Sequence, residues 1–185
     1  LISQPIKGTI KKSNNFYQNL NLINKLEKSE KDISENVMIA DLVRNDLSIT
    51  AKRNSVKVEE LCKVFTFNNI NQMISTVTSE ICQNLSFDKI ISSTFPMGSM
   101  TGAPKIKSMQ LIDKFEDFNR GIYSGTIGYI DSKNNFDFNV VIRTIIYDQK
   151  DHNLSFPVGS AITSESDPSI EYEECIEKLK SVFVF

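Results

Sequence analysis

Residues 94–107, Thr-Phe-Pro-Met-Gly-Ser-Met-Thr-Gly-Ala-Pro-Lys-Ile-Lys, constrain this chain more than any other stretch. Two prolines and two glycines interrupt regular structure, and a helical pattern (Ile106, Met109, Leu111, Ile112, Phe115) starts directly behind them. Pro104 fits the first helical position, where its missing N–H costs nothing and its φ is already helical. The stretch from Gly98 to Gly102 lets backbone approach a ligand closely, and the free N–H groups of the new helix would favour an anion. An ordinary Gly/Pro loop that starts a helix is the plainer alternative, so other segments have to decide.

With 185 residues the chain can bury one core of ordinary size, or part of a larger one. It does not begin with Met, and Leu1–Gly8 reads as the end of a strand entering a loop, so we expect an N-terminally truncated piece of a longer protein. Net charge is −2 with lysines and glutamates intermixed, so neither a basic stripe for nucleic acid nor an acidic tail is present. Cys62, Cys82 and Cys175 are odd in number and lack metal-ligand spacing, which reads as reduced thiols in a cytoplasmic protein. No apolar run is long enough to cross a membrane.

The periodicity predicts helices over Phe16–Glu30 and Asp32–Leu47. The second has apolar residues on two faces, which predicts burial on both, with Glu35 facing an enclosed space where only a cation makes its charge tolerable. Strands are expected over Ser55–Phe67 and Ile70–Ile81, a short helix over Phe87–Phe95, and a longer helix over Pro104–Phe118. Three further strands, Ile122–Ile130, Phe136–Tyr147 and Leu154–Ile162, read as an antiparallel meander with turns at Ser132–Asn135 and Asp148–His152. Asp167-Pro168 starts a last helix running to about Val182. Clustered rather than alternating elements argue for an α+β fold.

Several polar residues stand where they invite chemistry. Glu171 and Glu174, three apart on the last helix, project from one face, and with Glu35 they offer three carboxylates from two helices, a set suited to Mg²⁺. Solvated helix glutamates are the alternative. Arg143 lies in the apolar run Val140–Ile146, where a guanidinium needs a carboxylate partner, either structural or from a ligand. Tyr123 next to Ser124-Gly125 adds a hydroxyl. Arg44-Asn45-Asp46 reads as a structural network. Lys7, between Ile6 and Gly8, is either a desolvated nucleophile or an exposed loop lysine. His152, the sole histidine, sits in a polar turn, and no Walker loop or dinucleotide fingerprint occurs.

Six segments in order resemble the catalytic domain of the chorismate-utilising enzymes: Pro5–Thr9, Glu35–Asp46, Phe95–Lys105, Arg120–Gly125, Ile142–Thr144 and Asp167–Glu174. The family includes anthranilate synthase component I, aminodeoxychorismate synthase component I, and the isochorismate and salicylate synthases. The resemblance implies an α+β sandwich in which antiparallel sheets are covered by helices, with residues 1–185 as a chorismate-binding catalytic domain. It implies Mg²⁺ on Glu35, Glu171 and Glu174, the enolpyruvyl carboxylate on Arg143 and Tyr123, and substrate-site walls at Thr101 and Gly159.

Lys7 separates the activities. Anthranilate synthases usually carry Ala in that motif, whereas many aminodeoxychorismate synthases carry a Lys thought to attack C2 of chorismate. The resemblance therefore implies conversion of chorismate to 4-amino-4-deoxychorismate, with ammonia from a glutamine amidotransferase partner. Anthranilate, isochorismate or salicylate synthesis are the enzymatic alternatives, and an inactive chorismate-binding fragment is the non-enzymatic one. The chain departs from the family at Gln72, where many relatives have His, and at Val158–Ile162, which is less glycine-rich.

Overall fold

A computed structural model describes residues 1–164 and 166–180. The chain forms two compact units, Leu1–Asp117 and a second from Phe118 onward.

In the first unit, strands β1 (Ile2–Ser3), β2 (Ile6–Lys11), β3 (Lys57–Thr66) and β4 (Ile70–Thr78) make one antiparallel sheet. Here β4 is central: β1 and β2 pair in succession along one edge and β3 along the other. The opening residues are thus sheet strands, where the sequence suggested a strand end and a polar loop. Met73, Ser75 and Val77 of β4 have no exposed surface, and Ile74 is also buried.

Helices α1 (Phe16–Glu27) and α2 (Glu30–Ser48) start at capping side chains. Asn15 accepts from the Gln18 N–H at 3.1 Å, and Ser29 accepts from the Asp32 N–H at 3.4 Å. Glu30 and Asp32 in the first turn of α2 complement its dipole. The expected burial of α2 on two faces is not what forms, because Val37 and Met38 are 41% and 40% exposed. One stripe is buried instead: Asn36, Ile39, Ala40, Val43, Asp46 and Leu47. Ile39, Val43 and Leu47 pack with Val77 of β4, and fully burying each such side chain contributes about 1.5–3 kcal/mol. Asn36 and Asp46 are the two polar residues buried with them, and each needs a partner inside the fold.

The rest of the unit is α3 (Phe87–Thr94), a 3-10 turn (Gly98–Met100) and α4 (Lys105–Phe115). Pro104 is the residue before α4, with ψ 138°, one position short of the expected first helical place.

The second unit contains two separate hairpins, β5–β6 (Thr126–Ile130, Phe136–Val140) and β7–β8 (Ile146–Asp148, Asn153–Ser155), and helix α5 (Pro168–Lys180). The expected continuous meander is therefore broken. Val140 ends β6, the Ile142 N–H donates to the Val140 carbonyl at 3.0 Å, and Arg143 follows with φ +49°. This local turn interrupts a β-branched run that favours strand by propensity alone. The last expected strand shrinks to Asn153–Ser155, and the part of the predicted last helix beyond Lys180 lies outside the described residues. The first hairpin turn forms as expected: one Asp131 carboxylate oxygen accepts from the N–H groups of Lys133 and Asn135, each at 2.8 Å. Asn135, through its side chain and its backbone N–H, draws the Asp131 carboxyl below its usual range. No helix among the described residues is long and apolar enough to cross a membrane.

Candidate active site

Lys7 lies at an irregularity in β2. The pairing with β4 slips between Ile6 and Thr9, and Gly8 takes φ +88°. A Cβ at Gly8 would meet Cβ of Asp32 at 3.0 Å and Leu26 at 3.1 Å, so both backbone angle and space demand glycine. Such a bulge re-aims the neighbouring side chain. Lys7 Nζ lies 3.3 Å from Glu35 Oε2 on α2, and the two side chains are 23% and 22% exposed. The cation that Glu35 was expected to need is therefore supplied by Lys7. Ile6 is 45% exposed, so it does not enclose the neighbouring Lys7. Gln72 on β4 donates to the Thr9 hydroxyl at 3.4 Å.

Beneath Lys7 sits Asn36, with no exposed surface. Its Nδ2 donates to the carbonyls of Lys7, at 3.3 Å, and Met73, at 3.1 Å. Its Oδ1 accepts from the Ser75 hydroxyl, whose oxygen in turn accepts from the Cys62 N–H at 2.9 Å. Cys62 occupies a second slip, in the β3–β4 pairing, with φ +54°. Burial pushes its thiol up, against a smaller opposing contribution from Ser75.

The stretch 94–107 is held to α2. Gly98 approaches Leu42 so closely that a Cβ would lie 2.9 Å from Leu42 Cδ1, so this glycine serves packing. Thr101 donates to the carbonyls of Met97 and Gly98 at 3.1 and 3.4 Å, bracing its own turn. Lys105 reaches back to Asp46 Oδ2 at 2.9 Å and the Thr94 carbonyl at 3.4 Å. Asp46 is 4% exposed, and burial raises its carboxyl while Lys105 lowers it, the net being upward. Arg44 pairs with Asp41 instead, so Arg44-Asn45-Asp46 divides between two pairs.

In the second unit, Tyr123, Gly159, Glu171 and Glu174 are linked through one segment. A Cβ at Gly159 would come 2.8 Å from the Tyr123 hydroxyl. The Gly159 carbonyl accepts from Lys178 Nζ at 2.9 Å, and the same ammonium lies 2.5 Å from Glu174 Oε1. Glu171 accepts from the hydroxyls of Ser160 and, at 2.9 Å, Ser166. Arg120 donates to Ser124 at 2.9 Å, and its guanidinium carbon lies 6.0 Å from the Tyr123 ring centre. Arg143, expected inside a strand and paired, is exposed on the turn after β6, with no carboxylate pairing shown among the described residues. Its exposure removes the requirement that a buried guanidinium be paired.

The carboxylate oxygens suit a hard divalent cation, but neither unit by itself brings together three histidine, thiol or carboxylate groups around one point among the described residues. Asn36, Lys105 and Lys178 were not singled out by sequence reasoning. Lys178 had a signal, four residues after Glu174 on a helix, and Lys105 closes the Gly-Ala-Pro-Lys stretch.

Known proteins match over nearly the whole chain. It is 41% identical over 183 residues to a probable chloroplastic aminodeoxychorismate synthase of Oryza sativa subsp. japonica, covering 98% of this chain and 20% of that protein. To the anthranilate synthase component 1 of Aquifex aeolicus it is 34% identical, over 97% of this chain and 36% of the relative. The crystal structure of anthranilate synthase component I from Streptococcus pneumoniae superposes with a TM-score of 0.81 at 28% identity, over 98% of this chain and 39% of that one. The chain thus spans well under half the length of these relatives, and it shares their α+β fold of helices and antiparallel sheets. Its residues 1–184 match the family described as chorismate binding enzyme, and with the six ordered segments and the fold in agreement, the chain belongs to that family.

Proposed function

We propose that residues 1–185 form a catalytic domain that aminates chorismate to 4-amino-4-deoxychorismate. The observation that carries this reading is Lys7 itself, an amine set on a bulge and aimed at a carboxylate 3.3 Å away. Likeness to aminodeoxychorismate synthases at about 40% identity supports it. In the proposed reaction the lysine amine forms a bond to ring C2, the two ring double bonds shift, and the C4 hydroxyl departs with the amine's proton as water. Ammonia then adds at C4, the double bonds shift back, and the C2–N bond breaks to free Lys7. Before attack Lys7 must be released from Glu35 and lose a proton to solvent.

Thr101, Tyr123, Gly159 and Arg143 are proposed to line and clamp the substrate, Arg143 by a two-point contact with a carboxylate. Glu35, Glu171 and Glu174 are proposed to hold Mg²⁺, which when bound supplies positive charge for a substrate carboxylate. A bound cation would stand in for the ammonium groups that two of these carboxylates now pair with, Lys7 at Glu35 and Lys178 at Glu174. Ammonia is proposed to come from a glutamine amidotransferase subunit or domain, in line with relatives named component 1.

Product analysis of the full-length protein with chorismate, Mg²⁺ and ammonium tests the reading. Wild type should yield aminodeoxychorismate, and Lys7→Ala should reduce its formation by about 10²-fold or more. Anthranilate or isochorismate as the main wild-type product would move the protein to another branch of its family. An unaltered rate in Lys7→Ala would reduce Lys7 to part of the site wall.

A further inference from the structure

Two irregularities in one sheet meet at one buried side chain. The pairing of β2 with β4 slips at Lys7-Gly8, and that of β3 with β4 slips between Glu60 and Lys63. Both slips close on the same residue, since Ile74 is the partner of Ile6 on one side and of Lys63 on the other. A bulge leaves backbone groups without ladder partners, and buried ones need replacements. Asn36 provides them from α2: its Nδ2 holds the Lys7 and Met73 carbonyls, and its Oδ1 reaches the Cys62 N–H through Ser75. Asn36 is one residue after Glu35, so a single turn of α2 carries both the carboxylate facing Lys7 Nζ and the amide holding Lys7 O.

We propose that Asn36 is a positioning residue that fixes the Lys7 backbone at the bulge, so that the amine is presented to the reacting ring in one orientation. The proposal rests on Lys7 as the nucleophile, and it deepens that reading by naming what holds the nucleophile still. An apolar residue at position 36 would take away the side-chain donor that the Lys7 and Met73 carbonyls share, and the bulge would relax. A displacement of about 1 Å in a reacting group can cost roughly 10²-fold in rate without loss of binding.

The test compares Asn36→Ala with Asn71→Ala in the full-length protein. Asn71 is equally buried on β4 but bonds Asn19 and Thr66, away from Lys7, so it controls for lost stability. Two readouts are taken: kcat and KM for chorismate with ammonium, and the rate of Lys7 acetylation by limiting acetic anhydride, measured by peptide mass spectrometry. For Asn36→Ala, kcat should fall about 10–100-fold with KM little changed, and Lys7 acetylation should change several-fold. Asn71→Ala should leave both near wild type. If Asn36→Ala does not fold, Asn36→Leu, which fills the space without a donor, is measured in the same way. In the wild type, the Asn36 side-chain amide protons should be protected from solvent exchange, a readout that needs no variant. Unprotected protons, unchanged Lys7 acetylation, or equal losses of kcat in the two alanine variants would overturn the proposal. Failure of the nucleophile reading is distinguishable: Lys7→Ala would then keep its rate while Asn36→Ala still altered Lys7 acetylation.

Discussion

In residues 1–117 the pairs at Lys105–Asp46 and Lys7–Glu35 join different elements, whereas the pair beside Gly159, Lys178–Glu174, joins two residues of one helix. Exposure follows the same order: 16% and 6% for Lys105 and Asp46, 23% and 22% for Lys7 and Glu35, 32% and 46% for Lys178 and Glu174. The wider surroundings differ too. Among the described residues, the buried apolar side chains of the second unit reduce to Val141, while the first unit buries nine, from Leu26 to Ile90. A charge pair in packed surroundings fixes geometry, because each partner is expensive to leave alone. One on an exposed helix face is held weakly and can give up its partner to an incoming ion at little cost. The first region therefore holds its Lys7–Glu35 and Lys105–Asp46 pairs between packed elements, and the second holds Lys178–Glu174 on a more exposed helix face.

That contrast predicts a graded response to removing each lysine. Lys105→Met should have the largest effect, about 3 kcal/mol of unfolding free energy, since it leaves Asp46 buried and unpaired. This deficit should depend on pH. Burial already raises the Asp46 carboxyl above 3.8, and losing Lys105 removes what opposes the rise. A raised carboxyl means that the folded state binds the proton more tightly, so stability falls as pH rises from the unfolded value to the folded one. In the variant this window extends further upward, and its deficit should be larger at pH 7 than at pH 5 in urea titrations. A deficit independent of pH would place the loss in packing rather than in the Asp46 charge. Lys178→Met should have the smallest effect, below about 0.5 kcal/mol, as for an exposed i,i+4 pair. A loss as large as that of Lys105→Met would erase the distinction between the two regions.

Much of the fold can be read directly from the chain. Asp167-Pro168 marks α5 and Ser132–Asn135 marks the first hairpin, because each signal is local hydrogen-bond chemistry, whereas Ser29, the cap of α2, falls inside the first helix as the periodicity alone predicts it. Phe136–Tyr147 misled because propensity describes residues one at a time, while the turn at Ile142 is a backbone choice that β-branched side chains do not announce. On α2, treating only apolar residues as buried hid the stripe 36-39-40-43-47, which includes Asn36. Of the candidate site, the sequence singles out Lys7, Glu35, Tyr123, Gly159, Glu171 and Glu174, and the structure adds the contacts each of them makes. The bulge that brings Lys7 to Glu35 was not, since a register slip exists only between strands, and Gly8 was its sole trace. Arg143 was legible as a motif residue, but its surroundings were misread along with the strand.

The central claim is that Lys7 is the amine that bonds to the substrate ring. The most direct measurement is mass spectrometry of the full-length protein after exposure to chorismate and Mg²⁺ with ammonium omitted, followed by peptide mapping. With no ammonia to release it, the peptide containing Lys7 should gain the mass of chorismate less one water, and the addition should disappear on adding ammonium. An unmodified Lys7 peptide in protein that makes aminodeoxychorismate once ammonium is supplied would contradict the account.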